Sequence, residues 1–373
     1  MNTLFVISVL FCVYTYALYP LLIWWLARTK ENPRITLESV RDWPAVSVVI
    51  AVHNEEANIR EKLANLRELD YPKPLEFVIV SDGSTDGSNA FLESQSDISF
   101  FSYPEARGKP TALNVGVAQA KGEILVYMDA RQRVSKNAVL ELVKYFRLQE
   151  VGAVSGELVM TDGDGGESES IGLYWRYEKW IREAESRFFS TAGATGALYA
   201  ARRADFRELE ADTLLDDFET PVVTLRQGKR TLFEPKAVAY DKPSATSQDE
   251  FRRKSRTLAG NYQSFLRNLW LFNPAKNPIF LQFLSHKVFR LLVPYAMLIA
   301  LVSSGLSNTP WVKFFYYLQL AFYLFGFVAI VSKRFSQFRL ANFIKVFLQM
   351  NYAAVYGLVS FMRNKSSVRW KSS

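Results

Sequence analysis

The acidic residues of this 373-residue chain gather where short apolar runs stop. Val46–Val52 gives way to His53, Asn54 and Glu55, Leu75–Val80 leads into Asp82, and Ile124–Met128 ends at Asp129. The three runs are rich in β-branched residues and read as buried parallel strands with helical segments between them. Ligands of an open α/β sheet sit beyond the carboxyl ends of its strands, so these residues point to a nucleotide-type ligand. Lys109 opens a short helical stretch, where unpaired amides and a cation suit phosphate; a solvated surface lysine reads equally well. Asp216 and Asp217 begin another helix that stops at Gln227-Gly228, and the helix dipole would by itself account for two acids at that end. Arg252, Arg253, Lys254 and Arg256 crowd one turn of Gln248–Leu266. A solvated face, a contact with lipid headgroups and a diphosphate clamp all fit them, the last because a guanidinium fork grips phosphate oxygens.

The elements that must position these residues follow from spacing. Asn58–Leu69 carries Ile59, Leu63, Leu66 and Leu69 on one helical face, and Asn137–Leu148 carries Val139, Leu142, Val143 and Phe146 on another. The run SDGSTDGS, Ser81–Ser88, suits a turn entering a helix. Val151–Met160 reads as a strand. Thr161–Ser170 holds three glycines and four acids but lacks the spacing of an EF-hand, and reads as a loop. Ile171–Phe189 is amphipathic, with Leu173, Tyr177, Trp180, Ile181, Ala184 and Phe188 in one stripe; an interfacial helix and plain core packing are both open. The small residues of Gly193–Gly196 would let a bulky ligand approach the backbone.

Composition narrows the classes. Hydrophobic residues make up 49% of the chain and the net charge is +8. The apolar residues crowd into the two ends, which fits a membrane protein with a soluble centre, its cations answering anionic headgroups and topology; no nucleic-acid-binding motif is present. One cysteine and two histidines exclude a disulfide framework, a cysteine metal site and a His-rich cluster. Leu4–Leu26 as a helix is about 34 Å long, enough to span a bilayer. Trp24, Trp25, Arg28 and Lys30 at its end place that end in the cytoplasm. Further spans are expected through Leu291–Ser304, extending back through Phe283 with His286, Lys287 and Arg290 at the cytoplasmic side, and through Trp311–Val331. Leu340–Met362 is interrupted by Asn342, Lys345, Gln349 and Asn351, and both a span and an interfacial segment are open.

The ordered segments VHNEEANI, SDGSTDGS, RGKPTALNVG, MDA, GATGALYAARR and LLDDFE resemble the membrane-bound family 2 glycosyltransferases, a group that includes the synthases of cellulose, chitin, hyaluronan and poly-N-acetylglucosamine. The resemblance implies an α/β GT-A (Rossmann-like, mostly parallel sheet) catalytic domain over 45–235. Around it would lie a membrane helix in 1–28, a linker in 29–44, an amphipathic interface region with a diphosphate motif in 236–280, and membrane or interfacial helices in 281–373. It implies an inverting, metal-dependent transfer of a sugar from a UDP-sugar to a lipid-linked or growing polysaccharide acceptor at the cytoplasmic membrane face; single-sugar transfer to a polyprenyl or glycolipid acceptor is the alternative, and an inactive membrane scaffold a third. Carried over by residue, Glu55 and Asp82 would contact the uridine and Lys109 the ribose and phosphates. Asp129 would help hold Mg2+ or Mn2+, Asp216 would line the substrate site, and Asp217 would be the general base. RKSRTLAG aligns with a QRxRWAxG motif, so that Arg256 would reach the diphosphate with Arg253 beside it. Four departures stand out. Arg131 occupies the third position of the DxD motif, Arg253 replaces a Gln, Lys254 replaces an Arg, and Thr257 replaces a Trp near the acceptor end.

Overall fold

The computed structural model describes residues 1–30, 35–161, 172–242, 247–332 and 334–363. The acidic loop expected over Thr161–Ser170 lies, from residue 162 on, outside them, as do part of the 29–44 linker and the cations Lys333, Lys365, Arg369 and Lys371.

Eight strands form one sheet: β1 (Val46–Val52), β2 (Glu76–Asp82), β3 (Ser99–Tyr103), β4 (Ile124–Met128), β5 (Arg133–Val134), β6 (Val151–Met160), β7 (Leu198–Arg202) and β8 (Arg230–Asp241), in the order β3-β2-β1-β4-β7-β6-β8-β5. β1, β2, β3 and β4 pair in parallel, as do β6 and β8. β7 runs antiparallel between β4 and β6, so the parallel strands all end at one edge. The expected parallel strands are all present, and β1 is buried along its whole length, as a strand covered on both faces must be. β3 and β8 were not legible in the sequence. β8 carries Glu234, Pro235 and Lys236 in mid-strand, which breaks its apolar pattern; Glu234 is tolerated because Lys144 pairs with it at 2.8 Å.

The helices are α1 (Asn2–Ala27), α2 (Glu56–Arg67), α3 (Ser88–Glu93), α4 (Lys109–Gln119), α5 (Ala138–Val143), α6 (Gly172–Phe188), α7 (Asp216–Arg226), α8 (Ser247–Arg267), α9 (Phe280–Gly305), α10 (Pro310–Val331) and α11 (Arg339–Met362). Among the described residues, α1, α9 and α10 are long and apolar enough to cross a membrane. α11 is as long but more polar, and it lies along α8: Phe251 stacks on Tyr352 with ring centres 5.5 Å apart, and a Cβ on Gly357 would stand 3.0 Å from that of Leu258. α6 packs its apolar stripe on α1, burying Ile181 and Ala184 against Tyr19, Ile23 and Ala27. Truncating a fully buried Ile181 to Ala would cost about 2–5 kcal/mol.

Polar groups close the same seam. The Tyr19 hydroxyl donates to Glu185, and His286 Nδ1 lies 2.8 Å from the same carboxylate. His286 Nε2 is 3.2 Å from Glu178, which also takes a hydrogen bond from Arg290. Burial works against the charge on Glu178, but Arg290 and His286 outweigh it and hold its carboxyl well below the usual range. α6 thereby ties α1 to α9, and the sheet to both.

Candidate active site

Four elements converge on the carboxyl edge of the sheet. Asp129 follows β4, Lys109 opens α4, Asp216 and Asp217 open α7, and Glu55 precedes α2. Lys109 joins the acids. Its Nζ lies 2.9 Å from Asp129 Oδ1 and 3.3 Å from Asp216 Oδ1. Burial opposes the lysine's charge, yet Asp129 and Asp216 outweigh burial and hold its pKa above the ordinary lysine range. Lys109 is therefore a cation fixed inside the site.

The turn that aims Lys109 is built by Asp82. This carboxylate is fully buried. It accepts from the Tyr103 hydroxyl at 2.6 Å and from the amides of Arg107 and Gly108 at 2.7 and 2.8 Å. Gly108 has φ +99°, a conformation that only glycine adopts readily, and α4 begins at the next residue. Glu55 is held from α2: its carboxylate accepts from Asn58 at 2.6 Å, and burial raises its pKa.

The two neighbouring acids of α7 have different surroundings. Asp216 is buried and also accepts from the Tyr199 hydroxyl at 3.1 Å, a ring stacked on Tyr127. Asp217 is partly exposed and lies against the backbone of the small-residue turn. A Cβ on Gly196 would sit 2.9 Å from Asp217 Oδ2, and the Asp217 carbonyl accepts from the Ala194 amide at 2.8 Å. Burial, then the Asp216 charge, push the Asp217 carboxyl up to about 6, against the pull of Lys109 and Lys287. A carboxylate poised near neutral pH and open to solvent has the properties of a general base.

Asp241, at the end of β8, organises the cationic side of this edge. It is almost fully buried, and its Oδ2 receives hydrogen bonds from Arg131 at 2.5 Å and Gln132 at 3.0 Å, with Arg253 at 3.6 Å. Arg256, one turn further along α8, is exposed and makes no ion pair among the described residues.

Among the described residues no three His, Cys, Asp or Glu side chains gather as a metal-binding group. Asp129 offers one carboxylate, partly committed to Lys109. That set fits a cation shared with substrate phosphates, the usual habit of Mg2+, and not one enclosed by protein ligands.

Several participants were not singled out from sequence. Lys62 is fully buried and donates to the Gln132 carbonyl at 2.9 Å, and burial brings its pKa down to about 7. Its signal was a lysine on the apolar face of Ile59, Leu63 and Leu66. Arg182 bonds Thr195 at 2.9 Å and Ser155 at 2.7 Å, bracing the glycine turn from α6. Tyr199 and Asp241 left no local signal.

Residues 47–210 match the family described as Glycosyl transferase family 2. The Bacillus subtilis protein called "Probable glycosyltransferase YdaM" is 30% identical over 249 residues, 63% of this chain and 59% of that one. An N-acetylglucosaminyltransferase of Rhizobium meliloti is 27% identical over 263 residues, 64% and 61% of the two chains. A poly-β-1,6-N-acetyl-D-glucosamine synthase of Staphylococcus epidermidis is 22% identical over 234 residues, 60% and 56%. The chain thus spans about three fifths of the length of these curated relatives. Among solved structures, a mannosyltransferase of Pyrobaculum calidifontis in complex with GDP-Man and Mn2+ has a TM-score of 0.73 at 23% identity, covering 97% of this chain and 99% of that one. At that identity the likeness is one of fold, and it extends through the helices on both sides of the sheet.

Proposed function

We propose, from the match of residues 47–210 to the family described as Glycosyl transferase family 2, that the chain transfers a sugar, with inversion, from a nucleoside-diphosphate sugar to an acceptor hydroxyl at the membrane surface. The observation that carries this reading is Asp217: a partly exposed carboxylate, its pKa raised to about 6, standing beside a lysine bound to the acid that ends β4.

The chemistry balances with these residues. Asp217 takes the proton of the acceptor hydroxyl as that oxygen attacks the anomeric carbon. The bond from this carbon to the diphosphate oxygen breaks, and its electron pair leaves with the nucleoside diphosphate. A single displacement inverts the anomeric centre. Lys109 meets the departing charge from inside the site, where a preorganised cation is worth more than in water. Asp216 keeps Lys109 in place. Glu55 and the turn built by Asp82 bound the nucleoside end, with uridine the proposed base. Asp129, together with phosphate oxygens, would hold Mg2+ or Mn2+, which would add neutralisation of the leaving diphosphate.

With α1, α9 and α10, the three helices long and apolar enough to cross a membrane, read as spans, the sheet, Arg28 and Arg334 would lie on one side, and their cations favour the cytoplasmic side. α11 would then stay at that surface along α8. The acceptor is a lipid-linked or growing glycan, and polysaccharide synthesis is favoured by the names of the synthase relatives.

The test supplies membranes containing the chain with a panel of UDP- and GDP-sugars, follows nucleotide release and sizes the product. Release with one donor and a product labelled with its sugar is expected. A ladder of chains means polymer synthesis, and one discrete glycolipid means single transfer. No release with any donor, from chain shown to be folded, refutes the assignment.

A further inference from the structure

Two of the departures from the family pattern, Arg131 in place of an acid and Arg253 in place of a glutamine, are 122 positions apart in sequence and meet on one carboxylate. Arg131 Nη2 is 2.5 Å from Asp241 Oδ2, and Arg253 Nη1 is 3.6 Å from the same oxygen. The Asp241 side chain is 1% exposed, while those of Arg131 and Arg253 are 44% and 38% exposed. A buried carboxylate must be paired, and here it holds two guanidiniums that both reach solvent. Gln132 donates to the same Oδ2 at 3.0 Å, and the Lys242 amide to Oδ1 at 2.8 Å, so the acid is fixed from four directions. The three groups together carry a net positive charge.

This charge stands at the donor end of the site. β8, which ends at Asp241, runs parallel to β6 and ends at the edge where β4 delivers Asp129. Arg131 is two residues beyond Asp129, and its charge is felt by Glu55 across the cleft. Turning the acid of a metal motif into an arginine replaces a negative by a positive charge. That change equals the charge of one divalent cation, and it disfavours a second metal-bound carboxylate at the same place.

We propose that Arg131 and Arg253, held side by side by Asp241, form a guanidinium clamp for the diphosphate of the donor, so that the nucleotide binds without a divalent cation. The proposal rests on the nucleotide-sugar reading of the site. Arginine suits the task because its planar fork engages phosphate oxygens through two parallel hydrogen bonds. Asp241 is a positioning residue: it fixes the two forks and touches no substrate.

The experiment titrates UDP and GDP, separately, into the full chain in detergent, by calorimetry, in EDTA and in Mn2+. Wild-type chain is expected to bind one of them in EDTA within about tenfold of its affinity in Mn2+. Arg131→Gln and Arg253→Gln, each of which leaves Asp241 paired with the other guanidinium and with Gln132, should each weaken binding in EDTA by about tenfold, the scale of one lost charge-assisted pair. The double variant, made with Asp241→Asn so that no buried charge is left unpaired, should lose it in EDTA and retain it in Mn2+. Loss of wild-type binding in EDTA with binding kept in Mn2+ overturns the clamp and leaves the donor assignment standing, and so does an EDTA affinity unchanged in the double variant. Failure of both nucleotides in both media overturns the donor assignment and the clamp with it.

Discussion

Asp216 and Asp217 are consecutive, yet only the first is tied down: Asp216 is held by Lys109 and Tyr199, whereas Asp217 lies against the glycine turn with its carboxylate partly exposed. The first turn of α7 thus splits a repeated acid into a structural carboxylate and a reactive one. Asp217→Asn should lower kcat by about 10²–10⁴-fold, the range for a lost general base, with donor affinity nearly unchanged. Asp216→Asn should instead weaken donor binding, because Lys109 loses a partner. Calorimetric nucleotide affinity beside turnover separates the two, and wild-type turnover in the Asp217 variant removes it from the mechanism.

The raised Asp217 pKa sets a pH dependence with a definite sign. The base must be ionised, so kcat/KM should fall as pH drops below about 6. The folded pKa lies above the ordinary 3.8, so the folded state holds the proton more tightly. Stability contributed by this group is then present below pH 3.8 and is lost as pH rises through about 6. A pH–rate profile and thermal melts in detergent should therefore move in opposite directions between pH 4 and 6, and Asp217→Asn should flatten its share of the melting trend.

Gly196 is a steric determinant of the base. A methyl group there would stand 2.9 Å from Asp217 Oδ2. Gly196→Ala should displace the carboxylate and cost about 10²-fold in kcat, as a misplacement near 1 Å does. Loss of the folded state, read by thermal melting, would show that the turn and not the base was the sensitive part.

The sequence disclosed the donor half of this site because β1, β2 and β4 are continuous apolar runs with polar residues at their ends. A fully buried parallel strand can hardly look otherwise. Asp217 and Lys109 were legible through the resemblance, though their meeting through Asp216 was not, since nothing local links α4 to α7. Arg131 was visible as a departure and Arg253 as another. Their common partner, Asp241, was hidden because β8 interrupts its own apolar pattern with Glu234-Pro235-Lys236. His286, Lys287 and Arg290 read as flanking cations of a span, whereas the structure gives His286 and Arg290 buried acidic partners on α6. Such contacts span more than a hundred residues, and periodicity carries no information at that distance.

Asp129 and the metal provide an independent check on the donor end. Asp129→Ala should weaken nucleotide binding more in Mn2+ than in EDTA, because its carboxylate would act on the nucleotide through the cation as well as by holding Lys109. An equal loss in both media would place Asp129 in contact with the donor through Lys109 alone, whose Nζ it touches at 2.9 Å.

The seam between α6 and the spans yields a last prediction, on stability. Glu178 pairs with Arg290 and His286, and its side chain and that of Arg290 are only 16% and 15% exposed. Glu178→Gln leaves Arg290 buried without its acid, a change that costs about 3–5 kcal/mol when one partner of a buried pair is removed. Glu178→Gln combined with Arg290→Met removes both charges and should recover much of that loss, since an apolar replacement of a buried pair is often close to neutral. Thermal melting of the four chains in detergent completes a double-mutant cycle, which isolates the coupling between the two residues. Additive losses would mean that the two charges do not depend on each other, and that the Glu178–Arg290 pair does not help to hold α6 to α9.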